Sequence, residues 1–350
     1  KAAADAIAKS GVNPALMGEV VLGCVIPAGI GQAPARMAAI AAGIPVSVGA
    51  TTVNKVCGSG MKAVMIVSQS IALGEHDYGL AGGMESMSKA PYLLDKASSG
   101  YRYGDAKLLD SVLRDGLMDP YDGVHMGDCG ELCAKEHGFT REMQDAWAVR
   151  SYERAAEAVA KGWFKNEIVA VDGVELDEEP GRAKLDKIGK LRPAFQKDGT
   201  ITAANASKLN DGAAALVLSS AKGAAGKKPL ARIAGWATHS QEPKWFTTAP
   251  AGAVAKLLKN IGWTVDSVDL FEVNEAFAVV TLAVAKLGNI PHEKINVHGG
   301  AVALGHPLGA SGARILVTLI NALKTRGGKR GVAGICLGGG EAVAVALELV

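Results

Sequence analysis

Aromatic side chains make up only 5% of the 350 residues, so large flat rings cannot dominate the packing. The 44 glycines point instead to a fold shaped by close backbone approach. No block of like charge is present. Lys and Arg number 37 against 35 acidic residues, and neither a basic stripe nor interleaved aromatics supplies the footprint that nucleic acid requires. Long apolar runs are also missing. The stretch Ala276 to Ala285 stops at ten residues and Val20 to Ala35 is interrupted by Gly and Pro, whereas a bilayer span takes about 20. Neither nucleic acid nor a membrane is expected as a partner. The five cysteines (Cys24, Cys57, Cys129, Cys133, Cys336) are odd in number and scattered, without a disulfide framework. That fits a reducing compartment, the cytoplasm, in which thiols are free for chemistry.

What is there is an ordinary globular balance, 49% hydrophobic and 21% charged, enough for one large core or two smaller ones. An internal repeat organises it. The segment from the N-terminus to about Ser86 is echoed from about Leu230 to the end. In the first half a helix ends at Ser10-Gly11, followed by a strand Glu19 to Leu22, a turn and helix from Cys57-Gly58-Ser59-Gly60, and a strand closing on Gly82-Gly83-Met84-Glu85. The second half runs through Ile261-Gly262, Asp269 to Glu272, Gly309-Ala310-Ser311-Gly312 and Gly338-Gly339-Gly340-Glu341 in the same order. β-Branched strands alternating with amphipathic helices predict an α/β protein with mainly parallel, buried sheets. Residues 87–204 differ: they are charge-rich, with a polar run Asp177 to Arg182, and predict an inserted, largely surface domain. The predicted layout is therefore 1–86 plus about 205–228 as the first half, 87–204 as the insert and 229–350 as the second half. The lag between halves puts the first-half counterpart of a strand at Pro229 to Trp236 before Lys1, so the first sheet is expected to lack its N-terminal strand. No targeting signal is readable, which leaves an organellar address open beside the cytoplasmic one.

Four stretches carry chemistry. In Asn54-Lys55-Val56-Cys57-Gly58-Ser59-Gly60 a Cys stands after a β-rich run and before a helix. Backbone N–H groups and the positive helix end are expected to lower its pKa, and the glycines to admit a substrate carbonyl. A bland reading, a small buried hydrophobe, competes on even terms when the stretch is taken alone. The loop His298 to Gly312 holds His306 among glycines, a costly arrangement unless it presents something, and His306 is placed to act as base to a cysteine. His298, in the same loop, is read as structural. Gly334-Ile335-Cys336-Leu337-Gly338 sets a second Cys at a strand end, where open α/β sheets bind ligands. Asn274-Glu275-Ala276-Phe277 offers an amide and a carboxylate at a helix start, and alone would read as a cap. His125, Cys129, Cys133 and His137, four apart, imitate a metal site. Helical geometry spreads them over about 18 Å, so no metal is expected.

Together these stretches resemble the thiolase family over essentially the whole chain. The resemblance implies a thiolase fold, two repeated α/β halves in five layers (αβαβα) with an inserted loop domain. It implies an acyltransferase: Cys57 as nucleophile and acyl carrier, His306 as its activator, Cys336 as the acid/base of carbon–carbon bond chemistry. One oxyanion would be held by His306 with a water positioned by Asn274, the other by the backbone N–H groups of Cys57 and Gly338. His125-Met126-Gly127 resembles the biosynthetic, short-chain members. There Met126 and Phe277 border an acetyl pocket, His125 lies near pantetheine, Ser207 matches a pantetheine contact and Arg182 aligns with a phosphate contact. The implied reaction is reversible condensation of two acetyl-CoA to acetoacetyl-CoA plus CoA, with no permanently bound cofactor and a homotetramer built as a dimer of dimers. Synthesis of isoprenoid, ketone-body or storage-polymer precursors and thiolysis in fatty acid metabolism use the same residues.

Three rivals are weighed by single residues. A decarboxylating ketoacyl synthase needs a second His where this chain has Asn274 or Cys336. A non-catalytic thiolase-like lipid-binding protein would be expected to lack Cys57 or His306. A cysteine hydrolase has no need of Cys336, because water rather than a carbon acid is its acceptor.

Overall fold

The computed structural model describes residues 1–350. The first half runs α1 (Ala2–Ser10), β1 (Glu19–Gly23), α2 (Pro34–Ala41), β2 (Gly49–Val53), α3 (Ser59–Ala72) and β3 (Tyr78–Ser86). The insert follows, with a short ribbon of β4 (Tyr92–Leu93) and β5 (Leu109–Asp110), then α4 (Met126–His137), α5 (Arg141–Ala160) and α6 (Glu179–Arg182). The chain returns to the first sheet with β6 (Asp211–Ser219). The second half comprises β7 (Ala231–Ser240), α7 (Ala249–Ile261), β8 (Leu270–Val273), α8 (Ala278–Gly288), α9 (Ala301–Leu304), α10 (Leu308–Arg326), β9 (Arg330–Leu337) and β10 (Glu341–Leu349).

Two four-stranded sheets result, ordered β2-β1-β3-β6 and β7-β10-β9-β8. In the first, β2, β1 and β3 are parallel and β6 is antiparallel; in the second, β7, β8 and β9 run one way and β10, between β7 and β9, runs against them. Alternation along each strand divides the interior into layers. Val20 and Leu22 join the core under α1 and α2, whereas Val21 faces the central core with Met61 and Val64 of α3 and Leu316 and Leu319 of α10. On β10, Val343, Val345 and Leu347 face that same centre, and Ala342, Ala344 and Ala346 lie against the core that includes α7 and α8. The five-layer arrangement implied by the family resemblance is the one observed.

Backbone approach rather than ring packing does set the centre. A Cβ on Gly60 would come within 2.8 Å of Ala313 N and 2.9 Å of Gly309 O; one on Gly83 would collide with Gly309 O, and one on Gly312 with Met61. The helices α3 and α10 therefore cross through their glycines, with β3 pressed on the crossing. This corrects two expectations. The Ser-Gly pair opens α3, but Ser311-Gly312 lies one turn inside α10, because that helix already starts at Leu308. The two Gly clusters at the strand ends are also inequivalent: Gly82 and Gly83 sit within β3, while Gly338 to Gly340 make the turn from β9 to β10.

The insert is less superficial than its charge suggests. Cys129 and Cys133 of α4 and Trp147, Ala148 and Tyr152 of α5 are buried in one cluster with Val279 and Val280 of α8 and Val302 of α9. As expected, the first sheet has no counterpart of β7. β10 is covered on both edges, whereas β6 pairs only with β3, and its residues are half-buried or exposed throughout. No helix is long and apolar enough to cross a membrane.

Candidate active site

Cys57 stands in the five-residue turn from β2 into α3, two residues ahead of the helix. The turn is tied down from all sides. Asn54 Oδ1 accepts from Val56 N at 2.9 Å, Ser59 Oγ accepts from Lys55 N at 2.8 Å and donates to Val56 O at 2.6 Å, and Lys55 Nζ pairs with Glu341 on β10. These bonds hold Val56 at φ 46°, a left-handed conformation that a β-branched side chain adopts only under constraint. The strain lies one bond from the nucleophile and fixes the direction in which its side chain leaves the backbone.

The N–H groups of Cys57 and Gly338 both act on the Cys57 thiol and favour its anion. Burial outweighs them and pushes the thiol up to about 12. This overturns the lowered pKa expected from the helix end. Desolvation wins because the turn is walled by Val56, Leu337 and Val343, and a Cβ on Gly58 would strike Leu337. Gly58 thus serves packing. Gly338 is different: the nearest atoms to a Cβ there are Val56 Cγ1 at 3.5 Å and Met126 Cε at 3.9 Å, which leaves its backbone approachable.

His306 enters from the second half, also two residues ahead of a helix, α10. Gly305 precedes it at φ 89°, and Asn210 occupies the space a side chain there would need, so only glycine fits. Ser311 Oγ donates its hydrogen to Pro307 O at 2.9 Å and lies 2.6 Å from His306 Nδ1. The hydroxyl hydrogen being spent, Nδ1–H is the donor in that contact, and Nε2 keeps its lone pair. Nε2 faces Asn274 Nδ2 at 3.4 Å. Burial, reinforced by the Arg314 charge, lowers His306 to about 3, so the imidazole is neutral. Arg314 itself lies 3.7 Å from Glu272, whose carboxyl burial raises to about 8. Cys336, near the end of β9, is buried, and burial together with the neighbouring Cys57 charge raises its thiol well above the usual range.

Asn274 directly follows β8 and is fully buried, with Oδ1 lacking any protein partner. Its placement depends on residues that pattern reading undervalued. Asn296 pairs with Val273 like a neighbouring strand, accepting from its N–H and donating to its carbonyl, both at 2.7 Å. Glu275, read from sequence only as acidic support for a cap, accepts four bonds, from Trp147 Nε1, Ser151 Oγ, Asn296 Nδ2 and Val302 N. Glu85 does the same in the first half, accepting from Val25 N, Ile26 N and Gly309 N. Acidic residues at strand ends were the available signal; their burial was not. His298 is structural, as expected, stacked on Trp163 with centroids 4.8 Å apart.

His125 caps α4 through Nδ1 and stacks on Phe195 at 4.6 Å, and Phe195 meets Phe277 edge-on at 5.9 Å. Phe195 joins two predicted pocket residues and was missed, an isolated aromatic in polar text. Ser207 donates its N–H to Ala276 O at 3.0 Å beside the Ala206–Phe277 bridge, which seats it next to the Asn274 loop. Arg182 lies apart, exposed at the end of α6, with no hydrogen bond or ion pair to the others.

The pattern described as "Thiolase, N-terminal domain" matches residues 1–222, and "Thiolase, C-terminal domain" matches residues 227–349. The chain belongs to the thiolase family. Acetyl-CoA acetyltransferase IA of Candida tropicalis is 54% identical over 96% of this chain and 87% of its own length. Acetyl-CoA acetyltransferase 2 of Arabidopsis thaliana is 53% identical over 99% and 90%. The crystal structure of Acat5 thiolase from Ascaris suum in complex with coenzyme A superposes with a TM-score of 0.95 at 45% identity, over 99% of this chain and 91% of that one. The thiolase fold and the acyl-transfer class expected from the motifs are borne out.

Proposed function

We propose that this thiolase is an acetyl-CoA C-acetyltransferase, joining two acetyl-CoA into acetoacetyl-CoA and CoA through acetyl-Cys57, and running in reverse as a thiolase of short 3-ketoacyl-CoA. The observation that carries the reading is a pair of un-ionised thiols, Cys57 and Cys336, close enough to act on each other electrostatically, and it is supported by a neutral imidazole at His306 whose Nε2 has only a 3.4 Å contact with Asn274 Nδ2.

A thiol at about 12 does not wait as thiolate. Cys57 attacks the thioester carbonyl while His306 Nε2 takes its proton, so charge develops only as the bond forms. The imidazole that accepts this proton becomes a donor at Nε2, able with a water on Asn274 Oδ1 to stabilise an oxyanion. The departing CoA thiolate takes the proton of Cys336. The Cys336 thiolate, strongly basic for the same reason that its thiol is weakly acidic, removes a proton from the methyl of the second acetyl-CoA. The resulting carbanion attacks acetyl-Cys57, whose carbonyl oxygen is held by the N–H groups of Cys57 and Gly338, and the Cys57 thiolate leaves and recovers its proton from His306. Cys57, His306 and Cys336 all end in their starting protonation states, and the net proton transfer is from the methyl of the second acetyl-CoA, by way of Cys336, to the released CoA.

Met126 and Phe277, with Val56 beside Gly338, bound the acyl space and support a short chain. His125 and Ser207 lie on the pantetheine side, and exposed Arg182 is the candidate for phosphate. CoA is a substrate and product, and no resident cofactor is invoked. The open edge strand β2 supports pairing with a second copy, the dimer step of the proposed homotetramer, and five unpaired cysteines suit the cytoplasm.

Intact-protein mass spectrometry after brief exposure to acetoacetyl-CoA without free CoA tests the reading. An acetyl increment mapped to the Cys57 peptide and absent from Cys57→Ala is expected. A folded protein with no adduct overturns it.

A further inference from the structure

Lys208 is the one lysine whose ammonium is largely withdrawn from water, which lowers its pKa to about 8, and no step above uses it. Its surroundings are built for a cation. Nζ donates to Ala206 O at 2.9 Å and Val302 O at 3.2 Å, the Tyr152 ring lies 5.3 Å below it, and Glu179 and Glu275 supply negative potential. The carbonyls belong to two segments that meet at the site. Ala206 precedes Ser207, and Val302 belongs to α9, the single helical turn leading through Gly305 to His306.

The same residue stops that helix. Were α9 to continue, the His306 N–H would point back to Val302 O. Instead it donates to Lys208 O at 3.0 Å, and Lys208 Nζ takes over the carbonyl left behind. Main chain and side chain of one residue therefore replace both ends of a helical hydrogen bond, and the chain is released from helical geometry at the residue that must present Nε2.

We propose that Lys208 is a positioning residue, a charged clamp that sets the His306 loop against the Ser207 segment and so couples the base to pantetheine binding. This rests on the roles given above to His306 and Ser207. Met is close to Lys in length but can neither donate nor carry charge. Lys208→Met should lower kcat/KM for acetyl-CoA about 10- to 100-fold, the scale on which small misplacements of reacting groups act, with a raised KM as well as a reduced kcat. Its vacated cage should accept a small ammonium ion. Ammonium or methylammonium chloride should restore most of the loss, tetramethylammonium chloride at equal ionic strength should not, and the wild type should respond to none of them. Lys208→Gln, which keeps a donor without the charge, should fall between Met and wild type and serves if the Met variant does not fold. Unchanged kinetics in a folded variant overturn the clamp, as does a loss that the small ammonium ions leave untouched. Absence of Cys57 acetylation in the wild type would instead remove the underlying catalytic reading, so the two failures are distinguishable.

Discussion

The two halves put different chemistry at corresponding points of one scaffold. Two residues ahead of the central helix the first half has Cys57 and the second His306; directly after the first strand of the matching pair stand Cys24 and Asn274. Near the end of the following strand stand Glu85 and Cys336. The first half keeps one of its three reactive. Glu85 is saturated by three backbone donors, with Cys24 Sγ 3.6 Å from it. The second half leaves all three open: Asn274 Oδ1 has no partner, His306 Nε2 has only a long contact, and Cys336 is an unpaired thiol. The same scaffold thus separates structure from function by degree of satisfaction. At these corresponding points the saturated carboxylate holds the halves together, and the groups with a free lone pair or proton are the ones assigned to the reaction.

This contrast can be attacked residue by residue. Cys336→Ala should lower condensation and thiolysis about 10⁴-fold, the upper range for losing a general acid/base, while acetyl transfer to Cys57 remains detectable by mass. Full thiolysis in that variant would end the assignment of the second thiol. Asn274→Ala should cost about 100-fold in kcat with little change in stability, as for one oxyanion donor. The opposite pattern, a stability loss without a rate effect, would move Asn274 among the saturated groups. Glu85→Gln should do what Asn274→Ala does not: a buried acceptor of three backbone bonds is replaced by one oxygen and an unwanted donor, and urea denaturation should show about 2–4 kcal/mol of lost stability. A Glu85→Gln protein as stable as the parent would mean that the junction of the halves is held elsewhere.

An effect confined to acid pH, and absent at neutral pH, concerns His298, which burial lowers to about 4. It is neutral in the folded chain and takes up a proton on unfolding below about 6.5. Its contribution is complete above the unfolded pKa and is lost as pH falls toward 4, at about 1.4 kcal/mol per pH unit. Glu167 and Glu272, raised to about 7 and about 8, titrate with the opposite sign. The readout is therefore the difference between wild type and His298→Gln in chemical denaturation, which should vary with that slope between pH 6.5 and 4 and be flat above 7. A flat difference throughout would mean that the ring is charged in the fold.

The repeat and the four chemistry-bearing stretches were legible because each is local, a turn chemistry, a strand period or a helix face; the layer order and the roles of Cys57, His306, Cys336 and Asn274 came only with the family resemblance that those stretches carry together. The Cys57 thiol was misjudged for the complementary reason. Its helix end can be read from neighbours in sequence, but the wall of Leu337 and Val343 arrives from nearly 300 residues away. Glu275, Glu85, Phe195 and Lys208 escaped likewise, since a lone polar or aromatic residue declares its role only when its distant partners are known. Glycines were read as one class and divide into three. Gly60 and Gly83 admit a helix crossing, Gly305 supplies a left-handed bend, and Gly338 leaves an N–H approachable.

The crossing at Gly309 has a consequence for how such a molecule can change over time. Its carbonyl would be struck by a side chain on Gly83 and approached within 3 Å by one on Gly23 or Gly60, and its N–H is held by Glu85. Four positions of one repeat are thereby fitted around a single residue of the other. After the duplication that the symmetry implies, the copies could diverge freely in loops and insert, but not exchange partners: each has become the mould of its sibling, and neither is a heritable module by itself.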